Sequence, residues 1–598
     1  DVYIAANALL LTSQVIDHQL VLKRIRIGNN VCIDAAAVVD GGAVVPDGCI
    51  VRPLATVSEN HELREGCVWA APGKILGDAP PLPRSANASS GDSLLEQRRP
   101  ARQSKLGRFF TGLFQLVVFI IAYTIMSVLH CTLIYEMVFY SKKQSNNPLS
   151  IVWLIALALP GTMVAGTWWI VSSVAVRYAV MPFKLVPGSM PITSMRFQCW
   201  ILFQKVTMLG AIMYPLANTV FARRYFRALG LDVGDRTEFG ILGSFTPDLT
   251  HVGEDCFLGD MCVVNPPVVH GGHVTLKELF IEDRALVGNN AVVSCSRVGE
   301  DAIVGAVSYA CDDVPRETVL TGAPATVAKR PPPPPAEDAP PECRDGPYRP
   351  TGCTVFVQGV HNIVDIFVGQ WFIFVGIAVA SGATADFDNH TVWQKLLSLY
   401  AFVVVLEFTK AFLLIWSKWA INGRQQPNVL AADTPLCCRY LCQFALMVAV
   451  MPMAMLYVMR GSVWFPWVLR LLGMRVGSNS FVDTVQIPEC DLASVGDDCS
   501  INALVTLGTH TAEDGVMKYA PVTVGDRVTL MVGAVIAPTA RIGTGCSVAA
   551  MASVSKGERL AERTHWAGMS VQRVAAPAIM RVSDGGEGAH KVEMTEFH

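Results

Sequence analysis

The sequence predicts three left-handed parallel β-helices that alternate with transmembrane α-helical hairpins. Three observations predict this fold class. A six-residue repeat of aliphatic residues occurs in three regions of the chain, long apolar segments separate these regions, and the second and third regions match one another at a constant offset of 243 residues. The first observation indicates the β-helix, and the other two place it in a larger repeating unit.

The six-residue repeat is most regular in the first and third regions, where a small residue follows each aliphatic residue four positions later. The aliphatic positions are Ile27, Ile33, Val39, Val45, Val51 and Val57 in the first region, Ile281, Val287, Val293, Val298, Val304 and Ala310 in the middle region, and Val524, Leu530, Ile536, Ile542, Val548 and Val554 in the third. Such a repeat builds a parallel β-helix, in which one hexad makes one face and three faces make a triangular coil. We expect the aliphatic residue to point inward, and a Gly that follows it, as at Gly28 and Gly525, to tolerate the backbone angles of the turn.

The domain boundaries follow from this repeat and from shifts in composition. The predicted segments are a truncated β-helix copy one over 1–80, a linker over 81–108, a first transmembrane hairpin over 109–185, an amphipathic segment over 186–227, β-helix copy two over 228–328, a Pro-rich linker over 329–352, a second transmembrane hairpin over 353–420, an amphipathic or interfacial segment over 436–472, β-helix copy three over 473–573 and a tail over 574–598. The constant offset pairs Leu229 with Leu472 and Val252 with Val495, so hairpin, amphipathic segment and β-helix form one unit. Copy one resembles this unit without its front part, and Asp1 already lies inside a β-helix. We therefore expect the chain to be a fragment of a longer polypeptide.

Composition indicates a membrane protein. The chain has 598 residues, of which 52% are hydrophobic and 16% are charged, whereas an average soluble domain carries about 25% charged residues. Apolar segments of roughly 20 residues are long enough to span a bilayer. We expect a multi-pass integral membrane protein whose β-helices face the cytosol, because basic residues at 98–108 precede the first hairpin. The net charge of −3 argues against a nucleic-acid partner.

Copy three interrupts its repeat between Leu507 and Pro521, and the interruption concentrates groups that can carry chemistry. His510 is the candidate general base, because an imidazole can take a proton from an attacking amine or hydroxyl. Glu513 or Asp514 is expected to orient the imidazole and stabilise its charged form. Lys518 is the candidate ligand for an anionic group of the substrate.

Two further polar residues, Asn502 and Asp483, lie in the early coils of copy three and are candidate substrate-binding residues. The corresponding interruption in copy two has Pro267 at the position of His510, and its own His270 and His273 lack neighbouring carboxylates. The sequence therefore favours copy three as the catalytic copy.

Several strings of copy three carry a resemblance to a known family. They are Asp491-Leu492, Val495-Gly496-Asp497-Asp498, Thr509-His510, Glu513-Asp514, Met517-Lys518 and Pro521-Val522-Thr523-Val524-Gly525. Together with the layout of hairpins and β-helices, these strings resemble the C-terminal membrane region of ε-poly-L-lysine synthetase and related non-ribosomal peptide synthetases, within the hexapeptide-repeat acyltransferase superfamily. In that family an adenylation and a carrier domain precede the membrane region, and no counterpart of either is visible in this chain.

The resemblance implies an acyltransferase that joins an acyl or aminoacyl thioester to an amine. The donor would be a thioester on phosphopantetheine or coenzyme A, with no tightly bound cofactor, and a carrier-protein domain in cis or in trans would be a partner. Hexapeptide acyltransferases trimerise and place their sites between neighbouring β-helices, so three copies in one chain suggest an intramolecular pseudo-trimer.

Two alternatives remain open at this point. One is a coenzyme A-dependent O- or N-acetyltransferase on the same scaffold. The other is a non-catalytic membrane scaffold or export component. A metal-dependent carbonic anhydrase is not favoured, because three convergent His ligands are not evident, and we expect no metal site.

Overall fold

The fold is described from a computed structural model of the chain. The structure describes residues 2–5, 8–16, 19–70, 74–78, 105–143, 164, 166–207, 216, 219, 221–270, 273–323, 325–328, 391–431, 440, 459–513, 516–568, 571–574, 579–582 and 592–595. Large parts of both predicted hairpins and of the two predicted linkers lie outside these ranges. Asp514 lies outside them as well.

Copy one contains twelve short strands. They are β1 Tyr3–Ile4, β2 Leu9–Leu11, β3 Ser13–Ile16, β4 Gln19–Leu22, β5 Arg26–Ile27, β6 Cys32–Ile33, β7 Val38–Asp40, β8 Val44–Val45, β9 Ile50–Val51, β10 Thr56–Val57, β11 Cys67–Ala70 and β12 Lys74–Asp78. Parallel ladders join β1, β6, β9 and β11 on one face, β2, β7 and β10 on a second face, and β5 and β8 on the third.

Copy two repeats this arrangement after β13 Gly188–Pro191. Its strands are β14 Asp232–Val233, β15 Glu238–Phe239, β16 Ser244–Phe245, β17 Thr250–Val252, β18 Phe257–Leu258, β19 Val263–Val264, β20 Val268–His270, β21 His273–Leu276, β22 Leu279–Ile281, β23 Leu286–Val287, β24 Val292–Val293, β25 Arg297–Val298, β26 Ile303–Val304, β27 Tyr309–Ala310, β28 Val319–Thr321 and β29 Thr326–Ala328.

Copy three follows β30 Asn428–Ala431. Its strands are β31 Arg475–Val476, β32 Phe481–Val482, β33 Ala493–Val495, β34 Ser500–Ile501, β35 Thr506–Leu507, β36 His510–Glu513, β37 Val516–Tyr519, β38 Val522–Val524, β39 Thr529–Leu530, β40 Val535–Ile536, β41 Arg541–Ile542, β42 Ser547–Val548, β43 Ser553–Val554, β44 Arg559–Leu560, β45 His565–Ala567 and β46 Gln572–Val574, and a separate pair, β47 Ile579–Val582 and β48 Val592–Thr595, lies in the tail.

Each β-helix has three corresponding faces, which we name by their strands. The lateral face consists of β1, β6, β9 and β11 in copy one, β15, β18, β23, β26 and β28 in copy two, and β32, β34, β39, β42 and β45 in copy three. The axial face consists of β2, β7 and β10, then β16, β19, β24 and β27, then β35, β40 and β43. The outer face consists of β5 and β8, then β14, β17, β22 and β25, then β31, β33, β38, β41 and β44.

The helices lie before copies two and three. They are α1 Lys105–Lys143, α2 Met195–Thr207, α3 Ala222–Leu229, α4 Val392–Ile421 and α5 Phe465–Leu471, with a further helical stretch over 166–180 and a 3₁₀ turn at Cys490–Leu492. The short helices α3 and α5 precede β14 and β31 at equivalent positions. In both, an Arg side chain near the helix end donates to a backbone carbonyl of the first strand, Arg227 to Val233 and Arg470 to Val476.

The six-residue repeat forms the interior of each β-helix, as predicted. In copies one and three the repeat residues from Ile33 to Val57 and from Val524 to Val554 are at most 3% exposed. They form one apolar core along each coil axis. Burying a Val, Leu or Ile side chain fully stabilises the fold by about 1.5–3 kcal/mol relative to exposure, so a regular stack of such residues fixes the register of the coils.

The role predicted for the glycine after the aliphatic residue needs correction. Gly28 and Gly525 do not adopt positive φ angles; the left-handed residue of each turn lies two positions later, at Asn30 with φ 55° and Arg527 with φ 53°. Glycine is required at position 28 because a Cβ there would lie 2.2 Å from an Asp47 carboxylate oxygen of the next coil. The constraint is therefore close approach between coils rather than backbone angle.

The three β-helices share an apolar cluster, which we call the central cluster. Its buried members are Ala35, Ala36, Val38 and Leu54 of copy one, Val263, Val292, Val307, Tyr309 and Ala323 of copy two, and Met531, Ala550 and Met551 of copy three. All belong to the axial faces or the corners beside them. The three copies therefore pack against one another along these faces.

Buried ion pairs join the helices to the β-helices at equivalent positions. Arg177 Nη2 lies 2.9 Å from Asp248 Oδ2 in copy two, and Lys418 Nζ lies 2.8 Å from Asp491 Oδ2 in copy three. The side chains of the second pair are 3% and 1% exposed. Because a buried charge without its partner is costly, these pairs fix where each preceding helix ends on its β-helix.

One helical stretch within the described residues, Gly112–Leu129 of α1, is long and apolar enough to cross a membrane. Exposed large apolar side chains line this stretch and the length of α4. They include Phe110, Leu116, Ile120, Ile121, Val128, Trp393, Leu397, Tyr400, Phe408, Phe412 and Trp416. A multi-pass arrangement stays a prediction, since residues 144–163 and 329–390 lie outside the described ranges.

Candidate functional site

The interruption of copy three is a β-hairpin rather than an irregular loop. Strands β36 and β37 pair antiparallel, with His510 opposite Tyr519 and Thr511 opposite Lys518. Strand β30 adds to the other edge of β37, and Leu430, Tyr440, Leu492 and Tyr519 form a small apolar cluster beneath the sheet. The hairpin is thus held by β30 at one edge and by the apolar cluster that Tyr519 shares with Leu492 of copy three, which gives His510 a fixed position.

The imidazole of His510 pairs with a buried carboxylate. Nδ1 of His510 lies 2.9 Å from Oε2 and 3.0 Å from Oε1 of Glu489. Glu489 is 3% exposed, whereas His510 is 24% exposed. A carboxylate that accepts from Nδ1–H fixes the tautomer in which Nε2 accepts a proton. One end of the imidazole is therefore held inside the protein while the side chain keeps access to solvent.

Glu489 is itself held by Thr509, which is fully buried. The Thr509 hydroxyl donates to Oε2 of Glu489 over 2.5 Å and accepts from the backbone N–H of Glu489 over 3.2 Å. Thr509 directly precedes His510 in the chain. These bonds fix the carboxylate and the imidazole on neighbouring coils relative to one another.

The environment of His510 stabilises the charged imidazole. Burial alone would lower the pKa of His510, but the carboxylate of Glu489, by charge and by hydrogen bond, raises it above its ordinary value, and Asp260 adds to the rise. A general base is most effective when its pKa lies near the working pH, and the raised pKa of His510 stabilises the imidazolium that forms during proton transfer.

Asp260 belongs to copy two, so the electrostatics of the site involve two β-helices. It lies at the corner between β18 and β19, where its Oδ1 accepts from the backbone N–H of Ile241. The hairpin of copy three therefore lies close to the junction of the lateral and axial faces of copy two. The negative charge of Asp260 in copy two therefore acts on His510 of copy three.

The other predicted site residues have different surroundings. Asn502 binds copy one: its Oδ1 accepts from Val15 N–H over 3.0 Å and its Nδ2 donates to the Val15 carbonyl over 2.9 Å. Its amide is thus engaged in a contact between copies one and three, and its role in substrate binding stays a prediction. Asp483 lies 3.9 Å from Arg460, and burial raises its pKa.

The structure describes only some of the residues that were predicted to act beside His510. The backbone of Glu513 ends β36 and pairs with Val516, and Asp514 lies outside the described residues. Lys518 pairs with Thr511 across the hairpin, and the Thr511 hydroxyl also accepts from Lys556 over 3.1 Å. The carboxylate that the structure places against His510 is Glu489, which sequence reasoning missed.

Comparison with copy two shows what signal could have found Glu489. The hairpin registers of copies two and three are the same, and at the offset of 243 residues Glu489 corresponds to Thr246 and His510 to Pro267. Thr246 donates to a backbone carbonyl inside copy two. The available signal was a carboxylate at a position where copy two has a buried threonine. Copy one offers no comparison, because the corresponding coil would precede residue 1.

Two relatives with known names match different lengths of the chain. No family model matches. The chain is 24% identical over 558 residues to delta-poly-L-ornithine synthetase of Acinetobacter baumannii, which covers 92% of the chain and 41% of that protein. It is 36% identical over 80 residues to an acyl-[acyl-carrier-protein]–UDP-N-acetylglucosamine O-acyltransferase of Sinorhizobium fredii, which covers 13% of the chain and 28% of that protein.

Among solved structures, the chain matches a hexapeptide-repeat-containing acetyltransferase from Vibrio cholerae at 22% identity. The match covers 17% of this chain and 61% of that chain, with a TM-score of 0.15. The curated relatives are named as a synthetase and an acyltransferase, which supports the predicted acyltransferase class. The chain spans about two-fifths of the length of the synthetase.

Proposed function

We propose that this protein is an acyltransferase that moves an acyl or aminoacyl group from a thioester to an amine and forms an amide. The observation that carries the proposal is the Glu489–His510 pair, in which a buried carboxylate holds a partly exposed imidazole. Similarity to a poly-ornithine synthetase over 92% of the chain supports an amine acceptor and an amide product.

The chemistry follows from this geometry. The acceptor amine attacks the carbonyl carbon of the thioester, and Nε2 of His510 takes the proton that the nitrogen loses. The imidazolium is stabilised by Glu489 while the C–S bond breaks. His510 then returns its proton to the leaving thiolate, so that the products are an amide and a free thiol.

In this proposal Glu489 is a positioning residue. It does not touch the substrate; it fixes the tautomer and orientation of His510 and offsets the positive charge that forms during the reaction. Carboxylates in this position act in the same way in other acyl-transfer sites. Thr509 holds the carboxylate through a short hydrogen bond.

The three copies are proposed to act as an intramolecular pseudo-trimer with one active cleft. The central cluster, the contact of Asn502 with Val15 and the effect of Asp260 on His510 support this arrangement. In this proposal the Glu489–His510 pair of copy three acts under the influence of Asp260 of copy two. At the position equivalent to His510, copy two has Pro267 and copy one has Ser13, so neither copy has an imidazole there.

We further propose that the helices anchor the protein in a membrane as a multi-pass protein with its β-helices on the cytosolic side. The exposed apolar side chains of α1 and α4 support this. Sedimentation of the full chain with phospholipid vesicles that resists high salt and alkaline carbonate would agree with the proposal, whereas release by either treatment would contradict it.

Product analysis tests the proposed reaction. The full chain is incubated with carrier-bound and coenzyme A-bound aminoacyl thioesters, each with an amine or a hydroxyl acceptor, and products are identified by mass spectrometry. The proposal predicts an amide. An ester from coenzyme A would favour the O-acyltransferase alternative, which the similarity to an O-acyltransferase of Sinorhizobium fredii supports, and no product from any pair would favour a non-catalytic scaffold.

A further inference from the structure

Copy three carries a second pair of reactive side chains, away from the Glu489–His510 pair. Ser547 and His565 are directly opposite one another on neighbouring strands β42 and β45 of the lateral face. Oγ of Ser547 lies 2.6 Å from Nδ1 of His565. Both side chains are partly exposed, so a substrate can reach them.

This pair is specific to copy three. The same two positions of the lateral face are Ile50 and Val68 in copy one and Ile303 and Val319 in copy two. On the two strands of this face that precede Ser547, the aligned residues of copy three are Ser500 and Thr529. A nucleophile and a base at positions that are aliphatic in the other two copies indicate a distinct task for copy three.

The ionisation of His565 suits a base. Burial, and then the positive charge of Arg573, lower the pKa of His565 below its ordinary value. At neutral pH the imidazole is therefore uncharged, and in the tautomer with its proton on Nε2 the Nδ1 atom accepts the hydrogen bond from the Ser547 hydroxyl. A serine that donates to a neutral imidazole is the arrangement that activates a hydroxyl nucleophile.

The Ser547–His565 pair lies at the end of a β-helix, which also favours the approach of a substrate. Strand β45 is the last coil strand of copy three, and β46 turns back antiparallel against it, with Trp566 opposite Arg573. The Trp566 indole donates to Thr564 over 2.6 Å, which fixes the segment around His565. On the coil of β34, Asn502 at the corner of this face contacts copy one, so copy one borders the same face.

We propose that Ser547 and His565 form a second catalytic site that hydrolyses acyl thioesters through an acyl-serine intermediate. Ser547 Oγ bonds to the acyl carbon as the C–S bond breaks, and its proton passes through His565 Nδ1 to the leaving thiolate. Water then attacks the ester, His565 takes a proton from it, and Ser547 recovers its hydroxyl. The products are a thiol and a carboxylic acid, and no other reactant is needed.

This activity goes beyond the proposed amide synthesis and uses the same class of donor. It would release acyl groups that find no amine acceptor. The two sites use different residues, so they can be separated experimentally.

The first test is covalent labelling of the full chain with a biotinylated alkyl fluorophosphonate, followed by peptide mass spectrometry. We expect Ser547 to be modified, and modification to slow on the order of 100-fold in His565→Gln, which removes the base. The internal control is Ser494, a half-buried serine of the outer face whose hydroxyl donates to the Val522 carbonyl. Modification of Ser547 at the same rate as Ser494 would overturn the proposal.

The second test separates the two sites. Free acid released from an aminoacyl-pantetheine thioester without acceptor should fall to the uncatalysed rate in Ser547→Ala and stay unchanged in Ser494→Ala. His510→Ala should lose amide formation and keep the release of acid. Acid release that survives in Ser547→Ala, or that disappears in His510→Ala instead, would show that Ser547 is not the nucleophile and that the inference is wrong.

Discussion

The amide-forming chemistry proposed for copy three depends on two side chains, Glu489 and His510, that stand 21 residues apart and meet across neighbouring coils. Sequence reasoning reached His510, because the six-residue repeat stops just before it. It did not reach Glu489, because the contact is made by the coil spacing and not by sequence proximity. An interruption of the six-residue repeat indicates a candidate base in the sequence. The partner of that base can be identified only from the stacked coils of the structure.

Glu489→Gln should slow amide formation on the order of 100-fold and change its pH dependence. The amide of Gln leaves His510 without its negative partner, so the pKa of His510 falls from its raised value. Because the neutral imidazole is the reactive form, the rate of the wild-type protein rises as pH passes upward through the raised pKa. In Glu489→Gln this rise should occur at lower pH.

The measurement is a pH–rate profile of amide formation from a thioester. Glu254→Gln is the matched control, since Glu254 is an exposed carboxylate of copy two that pairs with Arg236. An identical profile for Glu489→Gln and wild type would refute the positioning role.

Among the structural elements, the coils were predictable and the hairpin was not. The spacing of Ile536, Ile542 and Val548 fixes an inward side chain every six residues, which only a β-helix satisfies. The hairpin β36–β37 has no such periodicity, and its third strand β30 comes from a segment about 90 residues earlier in the chain. Residues that pair across such distances leave no local pattern in the sequence.

The ion pair of Lys418 and Asp491 joins α4 to the 3₁₀ turn that directly follows Glu489. Lys418→Met should destabilise copy three by about 3–5 kcal/mol, because Asp491 is left buried without a counter-charge. The double variant Lys418→Met/Asp491→Leu should recover most of this loss.

The comparison is made by urea unfolding followed through tryptophan fluorescence. Arg177→Met is the matched variant in copy two, where Arg177 pairs with Asp248. It should destabilise copy two similarly and leave the pH–rate profile of amide formation unaltered. If the double variant of copy three were no more stable than Lys418→Met alone, the ion-pair explanation would fail.

In the whole molecule, the three β-helices pack against one another through the central cluster. The copies differ in their reactive residues, since copy three has the Glu489–His510 and Ser547–His565 pairs. The position of His510 is Ser13 in copy one and Pro267 in copy two, and the positions of Ser547 and His565 are aliphatic in both. The sequence predicted a threefold arrangement of hairpins and β-helices. Contacts between copies, such as that of Asn502 with Val15, could not be predicted because they leave no pattern in the sequence of a single copy.

Asp260→Asn tests whether copy two contributes to a site in copy three. The Asn side-chain oxygen can still accept from the Ile241 N–H, so copy two should keep its fold, but the negative charge near His510 is lost. The pKa of His510 should fall by less than in Glu489→Gln, and the rate should change less than about tenfold. A pH–rate profile equal to that of wild type would indicate that the copies act independently.

The proposed role of His510 as the general base of amide formation can be tested by kinetics. The measurement is the single-turnover rate of amide formation from an acyl thioester and an amine, compared between His510→Ala and His273→Ala. His273 lies in the matching hairpin of copy two and serves as the control. We expect a loss on the order of 100-fold or more in His510→Ala and a wild-type rate in His273→Ala; equal rates in both variants would contradict this role.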